Sequence, residues 1–171
     1  MYQRILLAYD GTREGMIALR EGALLAKRCA AHVFLLSILP ETSGLLMGEG
    51  ATGMAVDQQM AQYQSLLAQG VDALKRLGLE PVAKLVVGEP AIQIGAFARE
   101  TRADLVVLGQ RKKTLLQRWW SGATGAYVSD HVSCSVLIGR NAISDEAFAA
   151  ALQRDAEVRD DAAGDGKNTK S

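Results

Sequence analysis

Five apolar runs, separated by stretches of helical periodicity, constrain this chain more than any other feature. They are Arg4–Asp10, His32–Leu39, Val82–Val87, Asp104–Gly109 and Ser133–Gly139. Most are nearly continuous in Leu, Ile and Val rather than alternating, the pattern of strands covered on both faces. Between them, apolar residues recur at spacings of three and four. Met16, Leu19, Ala23, Ala26 and Ala30 form one such face, with Thr12 placed as its N-cap and Glu14 in its first turn. Val56, Met60, Tyr63, Leu67, Val71 and Leu74 form a second, stopped by Gly78. A third opens with Pro90 and runs through Ile94, Phe97 and Ala98, and a fourth spans Gly122–Val132. Strands alternating with helices predict an α/β domain with a parallel sheet.

The length of 171 residues fits one domain with a tail. The division expected is a domain over 1–140 and an extension over 141–171, with a short helix at 143–158 followed by a disordered tail rich in Asp, Gly, Lys and Ser. Nineteen basic residues balance nineteen acidic ones, which argues against a chain built to bind nucleic acid or an anionic membrane. No apolar run approaches the ~20 residues that span a bilayer. Tyr2-Gln3-Arg4 leads straight into the first apolar run, so no secretory leader is expected. Cys29 and Cys134 sit inside apolar patterns and read as buried thiols, and the chain is expected in the cytoplasm.

Ligands of parallel α/β sheets bind beyond the carboxyl ends of the strands, where the strand order reverses. Two runs end in loop chemistry suited to that place: the first, at Asp10-Gly11-Thr12, and the fourth, at Gly109. These two are therefore expected to be neighbours. After Gly109 comes a loop carrying Arg111, Lys112, Lys113 and Arg118, then Trp119-Trp120-Ser121-Gly122-Ala123-Thr124 and a helical pattern. Glycines permit close backbone approach, and a helix start offers unpaired N–H groups to an anion, so the segment reads as an imperfect phosphate-binding corner. Each residue also has a plainer reading. Asp10 can bond its own turn, the cations can be a solvated loop, and the tryptophans can pack beneath it.

Other patterns carry less. Gly48-Glu49-Gly50-Ala51-Thr52-Gly53 matches G-x-G-x-x-G but does not lie in the first strand-to-helix turn, so Glu41–Met54 reads as a loop. His32 and His131 lack metal-ligand spacing, and no nucleophile elbow is present. A phosphoacceptor receiver domain would need several carboxylates at strand ends and a lysine after the last strand. Only Asp10 is suitably placed, and Gly139-Arg140 follows the last run. No constellation of nucleophile, base and orienter is assembled, so no robust enzyme is expected.

The combination resembles the universal stress protein family. The residues that carry the resemblance are Ile5-Leu6-Leu7-Ala8-Tyr9-Asp10-Gly11-Thr12, Val86-Val87-Gly88-Glu89-Pro90-Ala91-Ile92, Ala103-Asp104-Leu105-Val106-Val107-Leu108-Gly109 and Cys134-Ser135-Val136-Leu137-Ile138, in order over residues 3 to 140. The resemblance implies a three-layer α/β/α sandwich around a five-stranded parallel sheet of order 3-2-1-4-5, like the adenine nucleotide alpha hydrolases. It also implies a stress-response regulator, a homodimer formed through the last strand and, in one branch, bound ATP or AMP, with Mg only beside ATP. That branch carries G-x2-G-x9-G-[ST]. Gly109 and Gly122 match it, whereas Lys112 and Ala123 replace a glycine and a hydroxyl residue. By the same resemblance Asp10 would touch ribose or adenine, and the backbone of Ile38 would face the adenine edge. Lys112, Ala123 and Thr124 would lie near the phosphates. The alternative that these departures favour is a nucleotide-independent interaction protein on the same fold.

Overall fold

The computed structural model describes residues 1–41, 53–109, 128–140, 142–144, 146–151 and 153–154. Five strands, β1 (Arg4–Ala8), β2 (His32–Leu39), β3 (Val82–Val87), β4 (Leu105–Gly109) and β5 (Ser135–Gly139), alternate with helices α1 (Arg13–Cys29), α2 (Gly53–Arg76), α3 (Pro90–Thr101) and α4 (Val128–His131). The strands form one sheet of order β3-β2-β1-β4-β5, and every pairing is parallel. β1 lies between β2 and β4, with Leu6 opposite Phe34 on one side and Val106 on the other.

The alternation of side chains along each strand sorts the core into two layers. On one face Ile5, Leu7, Val33, Leu35, Leu105 and Val107 pack with Ala18, Leu19, Ala23 and Ala26 of α1 and Leu74 of α2. On the other face Leu6, Phe34, Leu36, Val106 and Leu108 pack with Ala91, Ile94, Phe97 and Ala98 of α3 and Val128 of α4. Helices thus cover both faces, which is why the three central strands are apolar at successive positions.

Several sequence expectations are corrected in detail. The runs at β3 and β5 are not buried strands: they are the sheet edges, and Val82 is 60% exposed and Val136 36% exposed. Ala30 does not extend the apolar face of α1. It is the C-cap in the left-handed conformation (φ 50°), its N–H donating to the Ala26 and Lys27 carbonyls. Thr12 is the N-cap as expected, its hydroxyl accepting from Gly15 N–H. Gly78 takes φ +70° just past the end of α2, and its N–H reaches Lys75 O at 2.8 Å. Cys29 and Cys134 are half-buried thiols rather than core residues. Gly53 and Met54 belong to α2, not to the preceding loop; 42–52, with most of the G-x-G-x-x-G match, lies outside the described residues.

Beyond the sheet, the helix expected over 143–158 is described at 146–151 and 153–154, whereas 143 and 144 lie outside it. Ser144 precedes it, its hydroxyl accepting from Ala147 N–H at 3.2 Å in the manner of an N-cap. Phe148 and Ala151 are buried against Leu24 of α1, with Ile143 and Leu77 alongside. The Arg20 guanidinium stacks 5.5 Å from the Phe148 ring and donates to Ile143 O. The expected tail after Arg159 lies outside the described residues.

Candidate functional site

The carboxyl end of the sheet opens between β1 and β4. α1, which follows β1, packs with the Leu7 layer, and α4, the next described helix after β4, packs with the Leu6 layer on the opposite face. Divergence of this kind leaves a crevice at the switch point. The pocket there has a volume of about 120 Å³, and its lining includes Asp10, Ile38 and Gly109. Three residues singled out in the sequence are therefore brought together by the fold.

Asp10 is held by the turn it begins. Its Oδ1 accepts from Thr12 N–H at 3.0 Å and from the Thr12 hydroxyl at 2.5 Å, while that hydroxyl accepts from Gly15 N–H at 3.1 Å. The carboxylate thus braces the cap of α1, as the plain reading expects, and also forms pocket wall. Gly11 takes φ +74°, a conformation that lets the chain turn sharply between β1 and α1. Tyr9 extends the β1–β2 ladder, its N–H donating to Leu36 O at 2.9 Å and its carbonyl accepting from the buried Ser37 hydroxyl at 2.8 Å. Burial first, and the Asp10 charge second, push the Tyr9 phenol above its ordinary pKa.

Gly109 has a reason to be glycine that the sequence did not reveal. A Cβ there would lie 2.6 Å from Glu14 O and 2.7 Å from Gly15 N, inside the first turn of α1. The residue allows backbone-to-backbone packing of β4 against α1, besides lining the pocket.

The second helix start at the pocket is that of α3. Pro90 lines the opening, and the Glu89 carboxylate accepts from Ile92 N–H at 2.9 Å. Both helix starts at this site are therefore capped by carboxylate or hydroxyl groups of their own chain, which uses N–H groups that an anion would otherwise take.

Apolar residues make most of the wall, among them Leu36, Ile38, Ile94 and Leu108. Pro40 and Tyr63 complete the rim. Sequence reading assigned Pro90 only to a helix start and Tyr63 only to a helix face, because membership of a pocket is a property of the packing. Lys112, Gly122, Ala123 and Thr124 lie outside the described residues, as do the remaining loop cations and both tryptophans. Among the described residues there is no cluster of His, Cys, Asp and Glu able to hold a metal ion.

The family model of the universal stress protein family matches residues 1–140. The chain belongs to the universal stress protein family. Its similarity to universal stress protein Sll1388 of Synechocystis sp. is 29% identity over 149 residues, covering 80% of this chain and 97% of that one. Two solved universal stress proteins share the fold. One, in complex with cAMP, superposes with a TM-score of 0.60 at 23% identity, covering 81% of this chain and 97% of that chain. The other, from Archaeoglobus fulgidus in complex with dAMP, has a TM-score of 0.61 at 22% identity, with 81% and 98% covered. The family match ends at residue 140, so the segment packed on Leu24 lies beyond it. No helix among the described residues is long and apolar enough to cross a membrane.

Proposed function

We propose that this universal stress protein is a cytoplasmic stress-response regulator that binds an adenine nucleotide, ATP or AMP, weakly in the crevice between β1 and β4. The observation that carries the reading is the convergence of Asp10, Ile38 and Gly109 on one apolar-walled pocket. A planar base suits the walls, and a ribose hydroxyl suits the Asp10 carboxylate as a donor suits an acceptor. At about 120 Å³ the pocket is smaller than sites that enclose a whole drug-sized ligand, so it fits a base and leaves the phosphates outside. Family members solved with cAMP and with dAMP support the same ligand class.

The starts of α1 and α3 are already capped, so the phosphates are assigned to the N–H groups of Gly122, Ala123 and Thr124, with Lys112 supplying charge. Mg would accompany ATP alone. No residue is assigned as a base for hydrolysis. Nucleotide would order the segment from Gly109 to Gly122 and so change a surface presented to a protein partner; neither nucleic acid nor membrane is proposed as one. The chain is proposed to act as a homodimer through β5, whose open edge exposes Val136.

Calorimetric titration with ATP and AMP tests the reading. Millimolar or tighter binding, abolished by Gly122→Val, is expected; no binding at millimolar ATP overturns it. Lys112→Gly restores the family's glycine while deleting a charge. Weaker binding would assign Lys112 to phosphate, and tighter binding would make it a blocking residue. Sedimentation at micromolar concentration should show a dimer. The second reading, a dimeric interaction protein indifferent to nucleotide, is favoured by the capped helix starts and by Lys112 and Ala123 in the motif.

A further inference from the structure

α2 packs closely on the β1–α1 turn and the strands beside it, and two glycines leave room for it. The Leu66 side chain occupies the space where a Cβ on Gly11 would stand. One turn further on, a Cβ on Gly70 would lie 2.9 Å from both the Tyr9 ring and Leu35. Tyr63, Leu66 and Gly70 follow at spacings of three and four, so they form one stripe of the helix. Seating Leu66 and Gly70 on the turn brings Tyr63, at the leading end of that stripe, to the pocket. There it is half-buried and faces the same space as Ile38, Pro40 and Pro90. The lining thus includes two prolines and the Tyr63 ring, which is α2's one contribution to it among the described residues.

We infer that Tyr63 is a specificity-determining residue of this pocket: its ring is the wall against which a planar base stacks, and the room left at Gly11 and Gly70 seats the helix that carries it. The inference rests on the nucleotide reading above and deepens it, since it assigns the choice of base to α2 rather than to the loop that would hold the phosphates. Base–aromatic stacking is sequence-tolerant but grows with ring area, so a purine gains more from it than a pyrimidine.

The test is calorimetric titration of AMP and UMP into the full chain and its Tyr63→Phe and Tyr63→Leu variants, with thermal melts alongside. Tyr63→Leu is expected to weaken AMP binding by roughly tenfold or more, the scale of one lost base stack, and to narrow the AMP-to-UMP ratio. Tyr63→Phe should bind as the parent does. The inference is overturned if Tyr63→Leu binds AMP normally, if Phe and Leu variants are weakened alike, or if both nucleotides lose equally together with a fall in melting temperature. Failure of the parent chain to bind either nucleotide would instead strike the nucleotide reading itself.

Discussion

The two ends of the sheet each carry an aspartate beside the β1–β4 pair, and the two do opposite things. At the amino end Asp104 precedes β4 and its carboxylate accepts from Gln3 N–H at 2.7 Å and Arg4 N–H at 3.1 Å, stitching two strands about a hundred residues apart in sequence. Arg4 adds to this closure: its Nε donates to Thr101 O, and its guanidinium lies 4.9 Å from the Phe34 ring centre. At the carboxyl end Asp10 accepts from Thr12, two residues away, and holds the hydroxyl that caps α1. The Asp104 bonds run across the strands, whereas the Asp10 bonds to Thr12 lie within one turn, at the end where the pocket opens beside β1 and β4. The same side chain closes a fold or lines a site according to which way the connecting chains depart.

The largest effect should come from filling that open end. Gly109→Val would drive a branched side chain into the α1 backbone, and overpacking of this kind costs about 3 kcal/mol. Urea denaturation should show the loss, and the surviving folded protein should bind no nucleotide. If Gly109→Val folds with parental stability, β4 is not packed on α1 as described.

Asp104→Ala sharpens the contrast from the closed end. Two backbone N–H groups lose a charged acceptor, a cost of about 2 kcal/mol, while nucleotide affinity stays at the parental value. A fall in affinity without a fall in stability would mean that the two ends are coupled.

Asp10→Ala should invert that pattern. Loss of a capping group costs about 1 kcal/mol, but binding of AMP should weaken by roughly tenfold as the ribose contact goes. An affinity unchanged in Asp10→Ala would leave the residue as a turn former alone.

The smallest effect concerns Tyr9. Its phenol has a folded pKa raised above 10.0, by burial and then by Asp10, whereas in the unfolded chain it ionises near pH 10. The unfolded state then loses its proton first, so stability is intact below pH 10 and declines as pH rises above it. Tyr9→Phe should make that alkaline decline shallower, read as melting temperature between roughly pH 9 and 11. An identical slope would assign the decline to other groups.

The sequence by itself determined the order and kind of the elements. Apolar runs four to eight residues long, rich in Val, Ile and Leu and separated by helical patterns, read as strands, and the Thr12 cap and Pro90 start are local signals read without knowledge of the fold. Asp10 and Gly109 were legible as a pair because a switch point is fixed by the ends of strands, which the sequence marks. The remainder follows from packing across distant segments. β3 and β5 have the composition of covered strands, yet their exposure comes from standing at the edges. Ala30 fits the periodicity of α1 and still ends it, because residues 30–32 must turn into β2. Gly109 is required by the first turn of α1, and Tyr63 becomes pocket wall because Gly11 and Gly70 let α2 settle on the β1–α1 turn. Periodicity reports which face of a helix is apolar; how closely that face approaches a neighbour depends on where side chains are missing on both partners, and that is a property of the assembled pair.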